Sequence, residues 1–254
     1  MPGRGRVRNK TIRKEPEMTH FVYVFMRLGC VWDELYYSVK SLRKNFRGEM
    51  EIFCVGDPPK ITGVKHIPIA RVPNNSHAKS LDAANKLLKI CDSPEINDDF
   101  VYMYDDIILL QPSNEEDFRK IYAVDYVDSV GLYFGPNAKP SKKWIAIFHS
   151  TFNKLKEEGL KTWNYETHTP RWYNKDKIRQ IIDKYDFTNN PALFASLYYN
   201  NFEDAPWDRV DNVKTGVYDP HEMKWVERSM NKRFLNYDDN GLNAHLRRWI
   251  KRNI

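Results

Sequence analysis

The chain has 254 residues and a formal net charge of +6, with 41% apolar and 14% aromatic side chains, a length that suits one large α/β domain without requiring a second. Its three cysteines, Cys30, Cys54 and Cys91, have no Cys-x-x-Cys spacing, which excludes a disulfide framework and a cysteine zinc site. No run approaches the ~18 apolar residues of a membrane span, so the sequence predicts a soluble protein of a reducing, cytoplasmic compartment.

Residues 1–17 set Arg4, Arg6, Arg8, Lys10, Arg13 and Lys14 against Glu15 and Glu17, and read as a basic disordered arm. Such an arm is either a solvated tail or a holder of a polyanion such as nucleic acid. Residues 20–28 (HFVYVFMRL) read as a buried first strand. Residues 33–46 place Leu35, Tyr36, Val39, Leu42 and Phe46 at helical spacing. A second short strand at 51–55 is ended by Gly56, Asp57, Pro58 and Pro59, which cannot continue it. A third follows at 64–69, then a loop at 72–76, an amphipathic helix at 78–91, and a fourth strand at 100–104. This alternation predicts a mostly parallel sheet with helices on both faces. A less regular, helical second half begins near 127–134, with helices around 142–158, 175–185 and 191–201. A short strand at 233–237, an acidic turn (Asp238, Asp239, Asn240) and a helix at 242–251 close the chain. Residues 244–254 carry Arg247, Arg248, Lys251 and Arg252, so basic charge collects at both ends and leaves the body mildly acidic.

Ligands of parallel α/β sheets bind beyond the carboxyl ends of the strands, and Asp105 and Asp106 stand there, directly after the fourth strand. Two adjacent carboxylates repel, and their burial costs several kcal/mol unless a positive charge lies between them. Mg²⁺ or Mn²⁺ suits such oxygen ligands and bridges to a diphosphate. Asp98 and Asp99 precede the strand at the opposite end and read as a solvated turn. No P-loop or dinucleotide fingerprint is present, which leaves kinase and dehydrogenase readings without support.

The run from Asn97 to Ile107 (NDDFVYMYDDI) resembles the central motif of the Stealth-type capsule proteins, whose core is GT-A-like as in many glycosyltransferases. Upstream, Tyr37, Ser38, Leu42 and Arg43 resemble that family's first helix. Downstream, Glu166, Thr167, His168, Thr169 and Pro170 resemble its His-x-Pro region, and residues 234–240 (FLNYDDN) its last block. The blocks occur in the family's order. The resemblance implies a single GT-A-like transferase domain over 18–254, with a nucleotide-sugar half at about 18–125 and an acceptor half at about 126–254.

It further implies that Asp105 and Asp106 hold the metal and, through it, the diphosphate of a nucleotide-sugar donor, a UDP-sugar first among them. Asp238 or Asp239 would complete that shell, with His221 as a late metal ligand. His168 would act as ligand, base or phosphate contact, and Glu166, His168 and Asp239 are the candidate bases. Arg27 would cradle the donor base, with Asn75 and Lys79 near the ribose and phosphates. The family has an arginine after the His-Pro helix where this chain reads ALFASLY at 192–198, so glycosyl transfer is expected ahead of sugar-phosphate transfer. The same missing arginine favours an inactive binding module of this fold, against which the intact pair Asp105 and Asp106 argues. The acceptor is a glycan or a hydroxymethylated DNA base. The basic ends favour DNA, with Trp163, Trp172 or Trp207 serving a flipped base.

Overall fold

The computed structural model describes residues 18–28, 30–72, 78–127, 142–187, 191–219, 226 and 230–254, with residues 78–80 as backbone. The expected basic arm, Asn75 and His221 lie outside the described residues, as does the side chain of Lys79.

A five-stranded sheet forms the centre, in the order β3-β2-β1-β4-β7. It consists of β1 (Thr19–Phe25), β2 (Met50–Gly56), β3 (Lys65–Pro68), β4 (Asp99–Met103) and β7 (Arg171–Asn174). The first four are mutually parallel and β7 joins β4 antiparallel. Strand alternation sends successive side chains of the central strands to two cores. Phe21, Tyr23, Val101 and Met103 meet Leu35, Val39 and Leu42 of α1 (Glu34–Asn45). Val22, Phe100 and Tyr102 instead meet α2 (Ala78–Asp92), α4 (Lys142–Glu157), α5 (Lys175–Lys184) and α6 (Phe194–Phe202). The expected mostly parallel α/β domain, with helices on both faces, is therefore present.

A second sheet, in the order β5-β10-β9, is built from β5 (Ile107–Leu109), β9 (Lys214–Val217) and β10 (Phe234–Tyr237). Buried serines one turn apart on α1 fix β5: Ser38 Oγ donates to the Ile107 carbonyl (2.5 Å), and Ser41 Oγ accepts from the Leu109 N–H (2.9 Å). The acidic turn is thus held between a strand of each sheet. The remaining described elements are α3 (Glu115–Arg119), the short pair β6 (Tyr122–Ala123) and β8 (Asp208–Arg209), a 3-10 turn at Val210–Asn212, and α7 (Ala244–Asn253), which Asn243 caps.

The structure corrects several sequence expectations. The first strand stops at Phe25, and Leu28 is 73% exposed, because the chain turns there to form the rim of a cleft. β5, β7 and β9 were not expected. Each is three or four residues long, and β7 alternates buried with half-buried residues on a sheet edge. Such runs carry too little periodicity to register.

Candidate active site

Topology gathers the site from three distant segments. Asp105 and Asp106 form the turn between β4 and β5. Because β7 runs antiparallel to β4, with Tyr102 opposite Arg171, the residues before β7 arrive at the end where β4 terminates. Because β10 runs antiparallel to β5, with Asn236 opposite Ile107, the residues after β10 arrive there too. Asp105, Asp106, Tyr237, Asp238 and Asp239 consequently line one cleft of about 510 Å³, with Cys30 from the loop after β1 and Glu34 from the start of α1.

His168 Nε2 lies 2.9 Å from Asp106 Oδ1, and its ring stacks on Tyr104 with centroids 4.4 Å apart. The His168 backbone is left-handed (φ 51°), a conformation that costs a residue bearing a Cβ about 1–2 kcal/mol. Strain of this kind clusters where surrounding structure imposes a functional geometry. Below the ring, the Arg171 guanidinium is buried. It donates to Tyr104 Oη (2.6 Å) and to Glu166 Oε2 (3.2 Å). Glu166 Oε1 accepts from the N–H and hydroxyl of Ser196 (3.1 and 3.2 Å). Both Glu166 oxygens are therefore engaged. Its surroundings are a smaller cavity with Tyr102, Tyr173 and Phe194, beside the acidic cleft.

Asp238 Oδ1 accepts from the Gly241 N–H at 2.9 Å, which closes the last acidic turn. Gly241 lies so close to β9 that an added Cβ would stand 1.8 Å from the Val217 carbonyl oxygen. Asp239 is exposed at the rim. Arg27 points elsewhere. Its side chain donates to the Pro58 carbonyl (2.6 Å), and it lines a neighbouring cavity of about 400 Å³ that shares Cys30 and Glu34 with the acidic cleft. Trp172 lines a third cavity with Asp98 and Asp99, at the opposite end of the sheet from Asp105. Trp207 is 71% exposed, next to Lys120.

Negative charge dominates the cleft. Burial, and then the charge of Asp106, pushes Asp105 up to about 6. Burial, and then the charges of Asp105 and Asp239, pushes Glu34 up to about 7. Lys214 from β9 is the nearby cation. Its Nζ donates to the Thr167 carbonyl (2.6 Å) and to Tyr218 Oη (3.1 Å), and burial lowers it to about 8 against the opposing pull of Asp106. Sequence reasoning missed Cys30, Glu34, Lys214 and Tyr237. Glu34 reads as an ordinary acid in a helix's first turn. The others lie in segments whose register the sequence does not reveal.

No protein-family model matches the chain, and no curated protein matches it. Among solved structures it is similar to an active-site mutant of LgtC (TM-score 0.51, 10% identity, covering 92% of this chain and 94% of that one). The galactosyltransferase LgtC in complex with donor and acceptor sugar analogs gives a TM-score of 0.50 at 10% identity, covering 91% and 95%. The apo-form glycosyltransferase GlyE of Streptococcus pneumoniae TIGR4 gives 0.43 at 13% identity. That match covers 93% of this chain, which spans only 60% of GlyE. At these identities the likeness is one of fold: a GT-A-like, Rossmann-type α/β domain. Among the described residues no helix is long and apolar enough to cross a membrane.

Proposed function

We propose that the protein is a glycosyltransferase that moves a sugar from a nucleotide-sugar donor to an acceptor hydroxyl. The observation that carries this reading is the meeting of Asp105 and Asp106 with Asp238 and Asp239 in one cleft at the carboxyl end of β4. The half-buried carboxylate of Asp105 and the buried one of Glu34, both with raised proton affinity and no basic ion-pair partner among the described residues, fit a divalent cation. Asp105 and Asp106 would hold Mn²⁺ or Mg²⁺, with Asp238 and His221 as further candidate ligands. When bound, the ion would neutralise the donor diphosphate and ease departure of the nucleotide.

The chain's own residues supply the rest. Arg27 with Asn75 and Lys79 would meet the nucleotide, a uridine nucleotide first among the donors. His168, oriented by Asp106 and Tyr104, would contact the reacting sugar or take the acceptor proton. Asp239 is the alternative base at the rim. Glu166 would act at one remove, fixing Arg171 and through it Tyr104.

A screen for nucleotide-sugar hydrolysis with Mn²⁺, UDP-sugars first, tests the reading. Slow cleavage that stops in Asp106→Ala and in EDTA supports it. Full turnover under both conditions would sink it. Transfer of a sugar phosphate, as in Stealth-type enzymes, is the alternative chemistry, and the mass of the acceptor product separates the two. For the acceptor, either a glycan or a hydroxymethylated DNA base, the basic face of α7 is what a duplex would meet. Arg247 and Lys251 of α7 each lie 5.9 Å over the ring of Trp32, on the wall of the Arg27 cavity. Binding to hydroxymethylated duplex that weakens steeply with salt supports that acceptor, whereas salt-insensitive weak binding returns the assignment to a glycan.

A further inference from the structure

We propose that Cys30 and Glu34 join Asp105 as ligands of one cation, making a mixed sulfur–oxygen cup that takes a borderline or soft ion such as Co²⁺, Zn²⁺ or Cd²⁺ in preference to Mg²⁺. The inference rests on the reading that the acidic turn holds a cation, and it names the ligands and the metal class. One ligand atom each from Cys30, Glu34 and Asp105 lie within 4.8 Å of one another. Ligands about a single ion at bond lengths of roughly 2.0–2.3 Å fall within such a spread. The three side chains come from the loop after β1, the first turn of α1 and the turn after β4, so the fold converges them.

The local chemistry offers them little else. Cys30 Sγ is 3.7 Å from Asp105 Oδ2, a long and weak contact, and 3.2 Å from the Met26 carbonyl. Glu34 is only 8% exposed, and neither it nor Asp105 meets a lysine or arginine among the described residues. Buried carboxylates are normally paired or bound to metal. A second, independent feature points the same way. Tyr237 lines this cleft, is 1% exposed, and its hydroxyl has no hydrogen-bond partner among the described residues. An oxygen on the ion, from water or donor phosphate, would satisfy that donor. Thiolate selects softer ions and carboxylate harder ones, so the combination disfavours Mg²⁺.

Cobalt titration of the full chain tests the cup without relying on turnover. The expected result is a near-ultraviolet thiolate-to-cobalt charge-transfer band in the wild-type protein. Cys30→Ser should abolish that band while visible cobalt bands persist. Equilibrium dialysis should find Cd²⁺ binding weakened at least about tenfold by Cys30→Ser, and Mn²⁺ binding weakened similarly by Glu34→Gln. Cobalt binding with no charge-transfer band, or cadmium affinity unchanged in Cys30→Ser, overturns the cup. If Asp105→Asn still abolishes cobalt binding in that case, the cation at the acidic turn survives and only the ligand set is wrong. Cobalt binding indifferent to Asp105→Asn overturns both.

Discussion

His168 reaches Asp106 at 2.9 Å from a left-handed backbone that its own Cβ disfavours. The strain separates a functional ring from a structural one. His168→Gly relieves the backbone as it deletes the ring, whereas His168→Ala deletes the ring and keeps the strain. Glycine at this position should therefore be more stable than alanine by about 1 kcal/mol in denaturant melts. Both variants should lose roughly 10²–10⁴ in turnover. A glycine variant that is stable and fully active would remove His168 from the chemistry.

The acidic cleft should make the metal-free protein less stable as pH rises. Asp105 is raised from 3.8 to about 6 and Glu34 from 4.5 to about 7, so the native state holds protons that the unfolded chain has released. That stabilisation is fully present below about pH 4 and is lost as pH climbs through 6 to 7. In EDTA, Asp105→Asn should melt a few degrees above the wild type at pH 8, with no such advantage at pH 4. Added Mn²⁺ should reverse the order at pH 8, because the ion stabilises only the protein with an intact site. Identical melting of both proteins across this range would mean that the carboxylates are not coupled as the structure has them.

Glu166 and Arg171 should behave as a buried ion pair. Arg171 is 7% exposed, and Glu166 meets it at 3.2 Å while holding Ser196 with its other oxygen. Glu166→Ala strands a buried guanidinium and should cost about 3–5 kcal/mol in unfolding free energy. Glu166→Gln keeps a carbonyl acceptor for one side of the network, sets an amide donor on the other, and should retain turnover within about tenfold of wild type, since a general base would lose 10²–10⁴. A well-folded but dead Glu166→Gln would make Glu166 the base.

The sequence exposed the parts of this molecule whose signals are local. β1, α1, β2, α2 and β4 are long or strongly periodic, and the acidic turn is visible because an apolar strand precedes it and apolar residues follow. What it could not expose is convergence. His168 reaches Asp106 only because β7 reverses direction beside β4, and β7 is a four-residue edge strand. Lys214 and Tyr237 enter through the pairing of β9 with β10 and of β10 with β5, again over three or four residues each. Glu34 sits where any helix favours an acid, so nothing in its type or position marks it as a neighbour of Asp105.

Lys214 should set an alkaline limit on activity. Burial lowers its ammonium from 10.5 to about 8 although Asp106 favours the charge, and Nζ is held by the Thr167 carbonyl and the Tyr218 hydroxyl. Between those values the unfolded chain carries a proton that the native state has lost, so stability from this group rises with pH across 8 to 10.5. Turnover should move the opposite way, because the neutral amine no longer offsets Asp106 or a donor phosphate. The expected profile falls above about pH 8 in the wild type. Lys214→Arg should carry its activity to higher pH, since guanidinium stays charged. Lys214→Met should be slow throughout, with no alkaline limb. An unchanged limb in both variants would assign the fall to another group and leave Lys214 as a structural clamp on the backbone that carries His168.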